Sequence, residues 1–296
     1  MTPSSYLNGL VLVFISTIVL STAGVMARLV SIDSATIVFW RGLAGGVALL
    51  LFLAVTAPRM NLTRLKGLGR AGFCVAVVTA IGMMFFIAAL RTTSVAHVSI
   101  IFAVCPFISA GLGFVVLGER PGRAALVASG VALVGVVIMV GTGTGGSLVG
   151  DLLALGMTFC VALSSVLVRR YPDQPALVIA GLAAFISAYA ALPFATPLTS
   201  PLHDIVVVSV FGAFAFTLGI ALLLYGARLL PPVETALIGA LDAPLAPFWV
   251  WLFFAETLDG ATLTGGGIVM AAVLLHVLSD LRGRNTRSTA AVASGP

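Results

Sequence analysis

Long apolar stretches, separated by short polar ones, follow one another along the whole chain. Each is about 17–25 residues long, which is the length that an α-helix needs to cross a hydrocarbon core roughly 30 Å thick. The pattern predicts ten transmembrane helices with short loops and no room for a soluble domain: 6–30, 36–57, 71–90, 94–117, 124–141, 152–168, 176–194, 205–227, 233–254 and 262–279.

The amino-acid composition also indicates that the chain lies in a lipid membrane. Of the 296 residues, 60% are hydrophobic and only 8% are charged, whereas a soluble domain carries about a quarter charged residues. Cys74, Cys105 and Cys160 all fall inside apolar stretches. They are expected to be small core residues and not a disulfide or metal framework. The predicted fold class is an all-α polytopic membrane protein.

The basic residues predict the orientation of the chain. If ten helices alternate in direction, twelve of the fifteen Lys and Arg residues fall on one side, and the positive-inside rule makes that side, with both chain termini, cytoplasmic. Because these residues are scattered over short loops, no nucleic-acid partner is predicted. The twelve are Arg59, Arg64, Lys66, Arg70, Arg120, Arg123, Arg169, Arg170, Arg228, Arg282, Arg284 and Arg287.

The chain resembles itself at an offset of 137 residues, where "ALRTTSVAHVSIIFAVCPFISAGLGFVVLGE" (89–119) aligns with "GARLLPPVETALIGALDAPLAPFWVWLFFAE" (226–256). The offset spans five helices, and because five is odd the two copies are predicted to be inverted. The expected units are 1–141 and 142–280, followed by a disordered cytoplasmic tail, 281–296. Inverted five-helix repeats are typical of transporters. The alternative is a duplication that serves folding alone.

"FWRGLAGG" (39–46) and the paired endings "P…LGE" and "P…FAE" resemble the EamA-type branch of the drug/metabolite transporter superfamily, and within it the YddG-like aromatic amino-acid exporters of bacterial inner membranes. The resemblance implies a ten-helix carrier with a central cavity lined by helices 1, 3, 4, 6, 8 and 9. It also implies export of amino acids or related metabolites from a multi-pass inner-membrane protein. One departure is that Cys105 stands in the first unit where Asp242 stands in the second.

Asp242 lies near the middle of the ninth predicted helix. An ionised side chain there costs about 2.5–3.5 kcal/mol on insertion scales unless it faces a cavity or a partner. Proline removes a backbone donor, so Pro244 is expected to free the carbonyl of Ala240. Pro106, Pro244 and Pro247 are therefore predicted to bend the fourth and ninth helices and to serve gating. Asp242 would face a substrate ammonium group or carry a proton; the alternative is a helix cap.

Three further ionisable residues are candidates for binding or coupling. Arg41 and His97 could attract a substrate carboxylate or gate the outer side. The alternatives are snorkelling or pairing for Arg41, and simple packing for His97. Glu234 is the repeat mate of His97, and binding and an interfacial position are both open for it. The candidates for proton coupling are Asp242, Glu234 and His97.

The remaining substrate-binding candidates are aromatic, sulfur-containing or hydroxyl side chains. Aromatic and methionine side chains could form a soft pocket, although each could instead face lipid, and each hydroxyl could satisfy a backbone carbonyl. These candidates are Trp40, Thr79, Met83, Phe86, Ser99, Phe102 and Ser164. Trp249 and Trp251 are expected in an aromatic belt at the membrane interface.

The predicted function is secondary transport of a small molecule across the bilayer, namely export of aromatic or neutral amino acids and related metabolites by alternating access. Broad drug or metabolite efflux is the alternative. An enzyme is not predicted, because the sequence has no nucleophile–base or metal constellation, and a channel would need a polar stripe. No cofactor or metal is expected. "GLAGG" (42–46) allows close helix packing within a monomer or across a weak homodimer.

Overall fold

The computed structural model is helical throughout the part of the chain that it describes, residues 3–56, 68–93, 98, 101–140, 147–254 and 260–293. Six helical segments are long and apolar enough to cross a membrane, and four shorter apolar helices bring the number in these ranges to ten. Each of the ten overlaps one predicted span. The all-α polytopic fold class is therefore confirmed.

Several spans consist of more than one helix. The first half of the chain forms α1 (Pro3–Ser21), α2 (Ala23–Leu29), α3 (Ser34–Thr56), α4 (Arg70–Thr92), α5 (Cys105–Leu117) and α6 (Arg123–Val140). The second half forms α7 (Leu148–Arg170), α8 (Ala176–Ala191), α9 (Leu202–Val210), α10 (Thr217–Leu229), α11 (Pro232–Gly239), α12 (Asp242–Phe254) and α13 (Gly260–Ala293). A π-helix, Phe211–Phe216, joins α9 to α10.

The last helix is longer than the apolar pattern predicts. α13 begins at Gly260 and continues to Ala293, so the segment 281–296 is helical through residue 293 where disorder was expected. The alanines near the end of this segment favour helix, and no proline interrupts the chain before Pro296.

The helix pairs of the bundle show a symmetry between the two halves of the chain. α4 of the first half packs along α7 of the second, and their equivalents in the opposite halves, α10 and α1, also pack along each other. Three further pairs join spans that are equivalent in the two halves: α3 with α8 and α6 with α13 join equivalent helices, and α5 with α11 join the fourth span to the ninth. The packing therefore has the pseudo-two-fold symmetry that a repeat requires.

The direction of packing shows that the two halves are inverted. A Cβ atom on Gly42 would lie 3.0 Å from Cβ of Ala188, whereas Gly181 lies against the side chain of Leu49. Residue numbers thus rise along α3 as they fall along α8, and the two helices are antiparallel. Because α3 and α8 are equivalent helices of the two halves, the halves point in opposite directions.

The same interface uses the "GLAGG" stretch. A Cβ on Gly42 would lie 2.5 Å from the carbonyl oxygen of Ala184, and a Cβ on Gly46 would lie 2.7 Å from the ring of Phe185. These distances are too short for any side chain, so glycine allows the two backbones to approach closely. This small-residue face packs within the monomer.

Polar side chains inside the bundle bond to backbone carbonyls, while large apolar side chains cover its outside. Ser16 donates to the carbonyl of Gly219 on α10 at 2.7 Å, and Thr158 donates to Ala154 one turn earlier at 2.8 Å. Exposed side chains include Val115, Phe194 and Leu198. Such an extensive apolar exterior is stable only against lipid.

Asp33 fixes the start of α3 and joins it to the loop after α8. Its carboxylate accepts the amide of Thr36 at 2.9 Å, as an N-capping side chain does, and the hydroxyl of Thr196 at 3.0 Å. Burial alone would raise the pKa of Asp33, but these hydrogen bonds outweigh it and hold the pKa below its ordinary value. The ionised form is therefore the one that stabilises this end of the bundle.

We expect Gly42→Ala to destabilise the protein. A helical Gly→Ala substitution ordinarily stabilises by up to about 1 kcal/mol, but here overpacking against Ala184 is expected to cost about 1–3 kcal/mol. Thermal unfolding of the purified protein in detergent measures the effect. Gly111→Ala is the matched control, since a Cβ there meets no atom within 4 Å. Equal unfolding temperatures for the two variants would contradict the packing assignment.

Asp33→Ala is expected to lower stability at neutral pH by about 1 kcal/mol, the usual value of an N-cap. Since the folded pKa of Asp33 is lowered, this contribution is complete above the unfolded pKa of about 3.9 and is lost as the pH falls through the folded value. The thermal midpoint of Asp33→Ala should therefore lie below that of the wild type at pH 7, and the gap should narrow as the pH is lowered through about 3. If the midpoints of Asp33→Ala and the wild type differ by the same amount at both pH values, the capping assignment is contradicted. The same holds if Asp173→Ala, in an exposed loop, lowers the midpoint as much.

Candidate functional site

The ninth span is broken near its middle, at the acid. Residues 240–241 form a turn between the two helices, and α12 begins at Asp242. The turn is closed by a hydrogen bond of 3.0 Å from the amide of Leu241 to the carbonyl of Ile238. Pro244 falls in the first turn of α12, where a missing N–H leaves no helical bond unmade. Pro244 is therefore compatible with the first turn of the second half-helix.

The carbonyl of Ala240 is not free, contrary to the expectation from Pro244. It accepts the amide of Ala243 at 3.2 Å. The prediction was wrong because the turn tightens to three-residue spacing, which supplies a donor other than the proline. Pro247 lies within α12, which continues to Phe254.

The fourth span is broken at the equivalent position of the first repeat. Its turn at 103–104 lies 137 residues before the turn at 240–241. The amide of Val104 donates to the carbonyl of Ile101 at 3.1 Å, which reproduces the closing bond of the ninth span. Pro106 lies in the first turn of α5. Both interruptions are thus part of the repeat, while their role in gating stays a prediction.

Asp242 is the first residue of α12 and is half-buried. No residue in the described ranges donates a hydrogen bond to its carboxylate, and the carboxylate does not cap an amide of its own helix there. The positive end of the α12 dipole favours a negative charge at this position. The capping alternative therefore has no hydrogen bond to support it, and the carboxylate oxygens are available to a ligand.

Thr79 and Ser164 are brought together by the packing of α4 along α7. Their hydroxyl oxygens are 3.1 Å apart, and Thr79 also donates to the carbonyl of Val75 at 2.8 Å. Because a hydroxyl has one proton, Ser164 is the donor to Thr79. The two predicted binding residues form one hydrogen-bonded pair between two of the spans expected to line the cavity.

The apolar candidates lie in the packed interior. Met83 is buried in a cluster built from α4, α7, α8 and α10. Phe86 packs between α4 and α7 and also against Val38 and Ala191. Phe102 packs at the junction of α5, α7 and α11. The alternative that the side chain of Met83 faces lipid is thus excluded.

Two of the candidate residues, His97 and Ser99, lie outside the described residues. Trp40 is half-buried, and its buried indole N–H has no hydrogen-bond partner within the described ranges. A ligand acceptor could satisfy this donor. No described contact joins Trp40 to Asp242 or to the Thr79–Ser164 pair.

Arg41 does not snorkel to the membrane interface, because it is only 1% exposed. Its backbone lies against the π-helix, where a Cβ on Gly212 would be 2.7 Å from Cα of Arg41. Pairing within the fold, or contact with a substrate, remains as its role. A π-helix inside a transmembrane helix is a frequent feature of functional sites.

One end of the bundle, here called the basic end, is held together by two polar contacts that sequence reasoning missed. It comprises the helix ends and loops that contain Arg120, Arg123, Arg169, Arg170 and Arg228. Tyr6 donates its hydroxyl proton to Oε2 of Glu234 at 2.8 Å, and Arg169 binds Glu119 through Nε at 2.9 Å and Nη2 at 2.7 Å. Glu234 thus has a buried partner on α1, and Glu119 has a partner at the end of α7.

Trp249 is half-buried and contacts the end of α1. Its indole N–H donates to the hydroxyl of Ser21 at 2.7 Å, while that hydroxyl donates to the carbonyl of Ile18 at 2.8 Å. The polar atom of Trp249 thus has a partner at the end of α1, and its place in an aromatic belt stays a prediction. Trp251, two residues on, is 45% exposed and remains a candidate for the belt. The contact holds α12, and with it Asp242, against the first span.

Ten apolar helical segments in two inverted halves, broken at equivalent points, define a multi-pass membrane protein of the inverted-repeat transporter class. The chain belongs to the EamA-like transporter family, whose model matches it twice, at residues 7–141 and 148–278. A crystal structure of another protein has the same fold, with a TM-score of 0.75 and 18% sequence identity over 93% of this chain and 98% of that one. No curated protein matches this sequence.

We expect Trp249→Phe to lower the thermal midpoint of the detergent-purified protein. The substitution keeps most of the aromatic packing but removes the donor to Ser21, a loss of about 1 kcal/mol. Trp251→Phe is the matched control, since its side chain has no described hydrogen bond. If the two variants unfold at the same temperature, the Trp249–Ser21 contact does not hold α12 in place.

Proposed function

We propose that the protein is a secondary transporter that exports amino acids, chiefly aromatic and neutral ones, and related metabolites across the cell inner membrane by alternating access. The observation that carries this proposal is the position of Asp242 at the break in the ninth span, where none of the described residues donates to its carboxylate. The equivalent turn in the fourth span, at 103–104, supports the proposal that the two breaks act as a pair of hinges. The central cavity would be lined by spans 1, 3, 4, 6, 8 and 9.

The inverted symmetry supports alternating access. When two halves have the same fold in opposite directions, exchanging their conformations turns an outward-open arrangement into an inward-open one. The helix breaks would absorb this change, because the turns at 103–104 and 240–241 separate half-helices that can tilt independently. The units are proposed to be 1–141 and 142–280.

Each polar candidate suits a different part of an amino acid. Asp242 would bind the ammonium group or hold a coupled proton, as an intramembrane acid does in many carriers. The Thr79–Ser164 pair would bind polar groups of the substrate. Arg41 would attract the carboxylate if it reaches the cavity, and the indole N–H of Trp40, which has no partner among the described residues, offers a second donor. Phe86 and Phe102 would contact an aromatic side chain.

The basic end is proposed to face the cytoplasm, with both termini. The positive-inside rule gives this orientation from the arginines at that end. Export would then begin at the basic end. No cofactor or metal is assigned; among the described residues, no cluster of three His, Cys, Asp or Glu side chains could hold a metal ion. A monomer is proposed as the working unit, since "GLAGG" packs within the chain.

Broad drug or metabolite efflux is the second candidate. It is favoured by the same acid, because an intramembrane carboxylate would attract an organic cation and apolar side chains of the bundle would contact the rest of that molecule. An amino acid needs a partner for its carboxylate as well, so the two functions differ in their dependence on Arg41 and Trp40.

Asp242→Asn is expected to reduce transport at least tenfold while leaving insertion and folding intact, because the amide keeps the shape and loses the charge. Counterflow in proteoliposomes with labelled aromatic amino acids, neutral amino acids and lipophilic cations measures the effect and identifies the substrate class. Asp173→Asn, in an exposed loop, is the matched control. Unchanged counterflow in Asp242→Asn would remove this residue from the mechanism, and ion current without saturation would contradict a carrier.

A further inference from the structure

A pocket of about 280 Å³ opens at the basic end, where α5 meets α11. These two helices are the halves of the fourth and ninth spans that lie on this side of the breaks. The side chains of Ala110 on α5 and Val233 on α11 pack together at the pocket, and Ala110 is only 7% exposed. The pocket is lined by Ser109, Ala110, Gly113, Glu119, Arg120, Pro121, Gly122, Ala125, Pro231, Pro232, Val233 and Glu234.

Both glutamates that line this pocket are held by residues from other helices. Glu234, 8% exposed, accepts the hydroxyl of Tyr6, which is completely buried. Separating α1 from α11 would break this buried hydrogen bond to a carboxylate, which is costly. The Tyr6–Glu234 contact therefore favours the closed arrangement of these two helices.

The second contact acts on the other side of the pocket. Glu119, in the loop after α5, is bound by Nε and Nη2 of Arg169 at the end of α7. A partly exposed ion pair stabilises little by itself, but two-point binding by a guanidinium fixes the geometry of the loop. Together the two contacts hold α5 and α11 to α7 and α1, respectively.

We propose that this pocket is the closed entrance of the transport path at the basic end, and that Tyr6–Glu234 and Glu119–Arg169 are the contacts that keep it closed. The proposal rests on the alternating access proposed above. Opening requires α11 to move away from α5 and α1, which breaks the Tyr6–Glu234 hydrogen bond and exposes Ala110. Tyr6 thus acts as a positioning residue for Glu234.

The rate at which a thiol at position 110 reacts with a membrane-impermeant maleimide measures this opening. The full chain carrying Ala110→Cys and Cys74→Ser would be studied in nanodiscs, where both faces are accessible; the other two cysteines are buried. Tyr6→Phe, which removes one hydroxyl, and Glu234→Gln are expected to raise the labelling rate on the order of tenfold, the effect of losing a hydrogen bond to a charged group. Tyr189→Phe is the matched control, because Tyr189 is 64% exposed and has no described hydrogen bond.

Equal labelling in Tyr6→Phe and Tyr189→Phe would overturn the proposal. Should Ala110→Cys fail to fold, amide hydrogen exchange of residues 232–239 in the otherwise native chain gives the same answer: faster exchange in Tyr6→Phe supports the entrance, and unchanged exchange overturns it. Neither measurement needs a substrate. A failure of counterflow therefore tests the proposed transport function separately from this entrance.

Discussion

The structure depends on one constraint: inside hydrocarbon, every backbone amide and carbonyl must find a partner within the protein. Two transmembrane helices are nevertheless broken near mid-span. Each break is tolerated because the chain closes it with a three-residue turn, from Val104 to Ile101 and from Leu241 to Ile238. Proline then occupies the first turn of the following half-helix, where its missing donor costs nothing. The breaks are thus closed by backbone hydrogen bonds, and they are the points at which the proposed bending of the bundle would take place.

The two breaks have the same backbone and different chemistry. Asp242 begins the half-helix in the second unit, whereas Cys105 begins it in the first. The thiol of Cys105 is buried, 3.8 Å from the carbonyl of Thr158 and 3.9 Å from the hydroxyl of Ser109. One break therefore packs against its neighbour, while at the other none of the described residues donates to the carboxylate. The inverted fold is symmetric, but the proposed binding site belongs to one half.

Sequence patterns predicted what depends on local composition. Span number, the repeat and the interruptions near Pro106 and Pro244 follow from apolar length, self-similarity and the chemistry of proline. The contacts of Tyr6 with Glu234 and of Trp249 with Ser21 could not be predicted, because each joins residues 228 positions apart. Such contacts depend on helix rotation and register, which an apolar stripe without a polar face does not define. The sequence similarity between the halves did not predict the Tyr6–Glu234 contact either, because Glu234 aligns with a different residue type, His97, in the other half.

The π-helix in the eighth span has a consequence for how this family can change in evolution. A wide turn contains one residue more than the α-helical turn it replaces, and one residue corresponds to a rotation of about 100°. Deleting one residue among 211–216 would relax the wide turn to an α-helical one and leave Thr217–Leu229 in the same rotation about its axis. The hydrogen bond of Ser16 to Gly219 and the packing of Val13 against Gly226 would then keep their register. A single deleted codon in this segment is therefore expected to be tolerated better than one within α10, where the same loss would rotate the helix that follows.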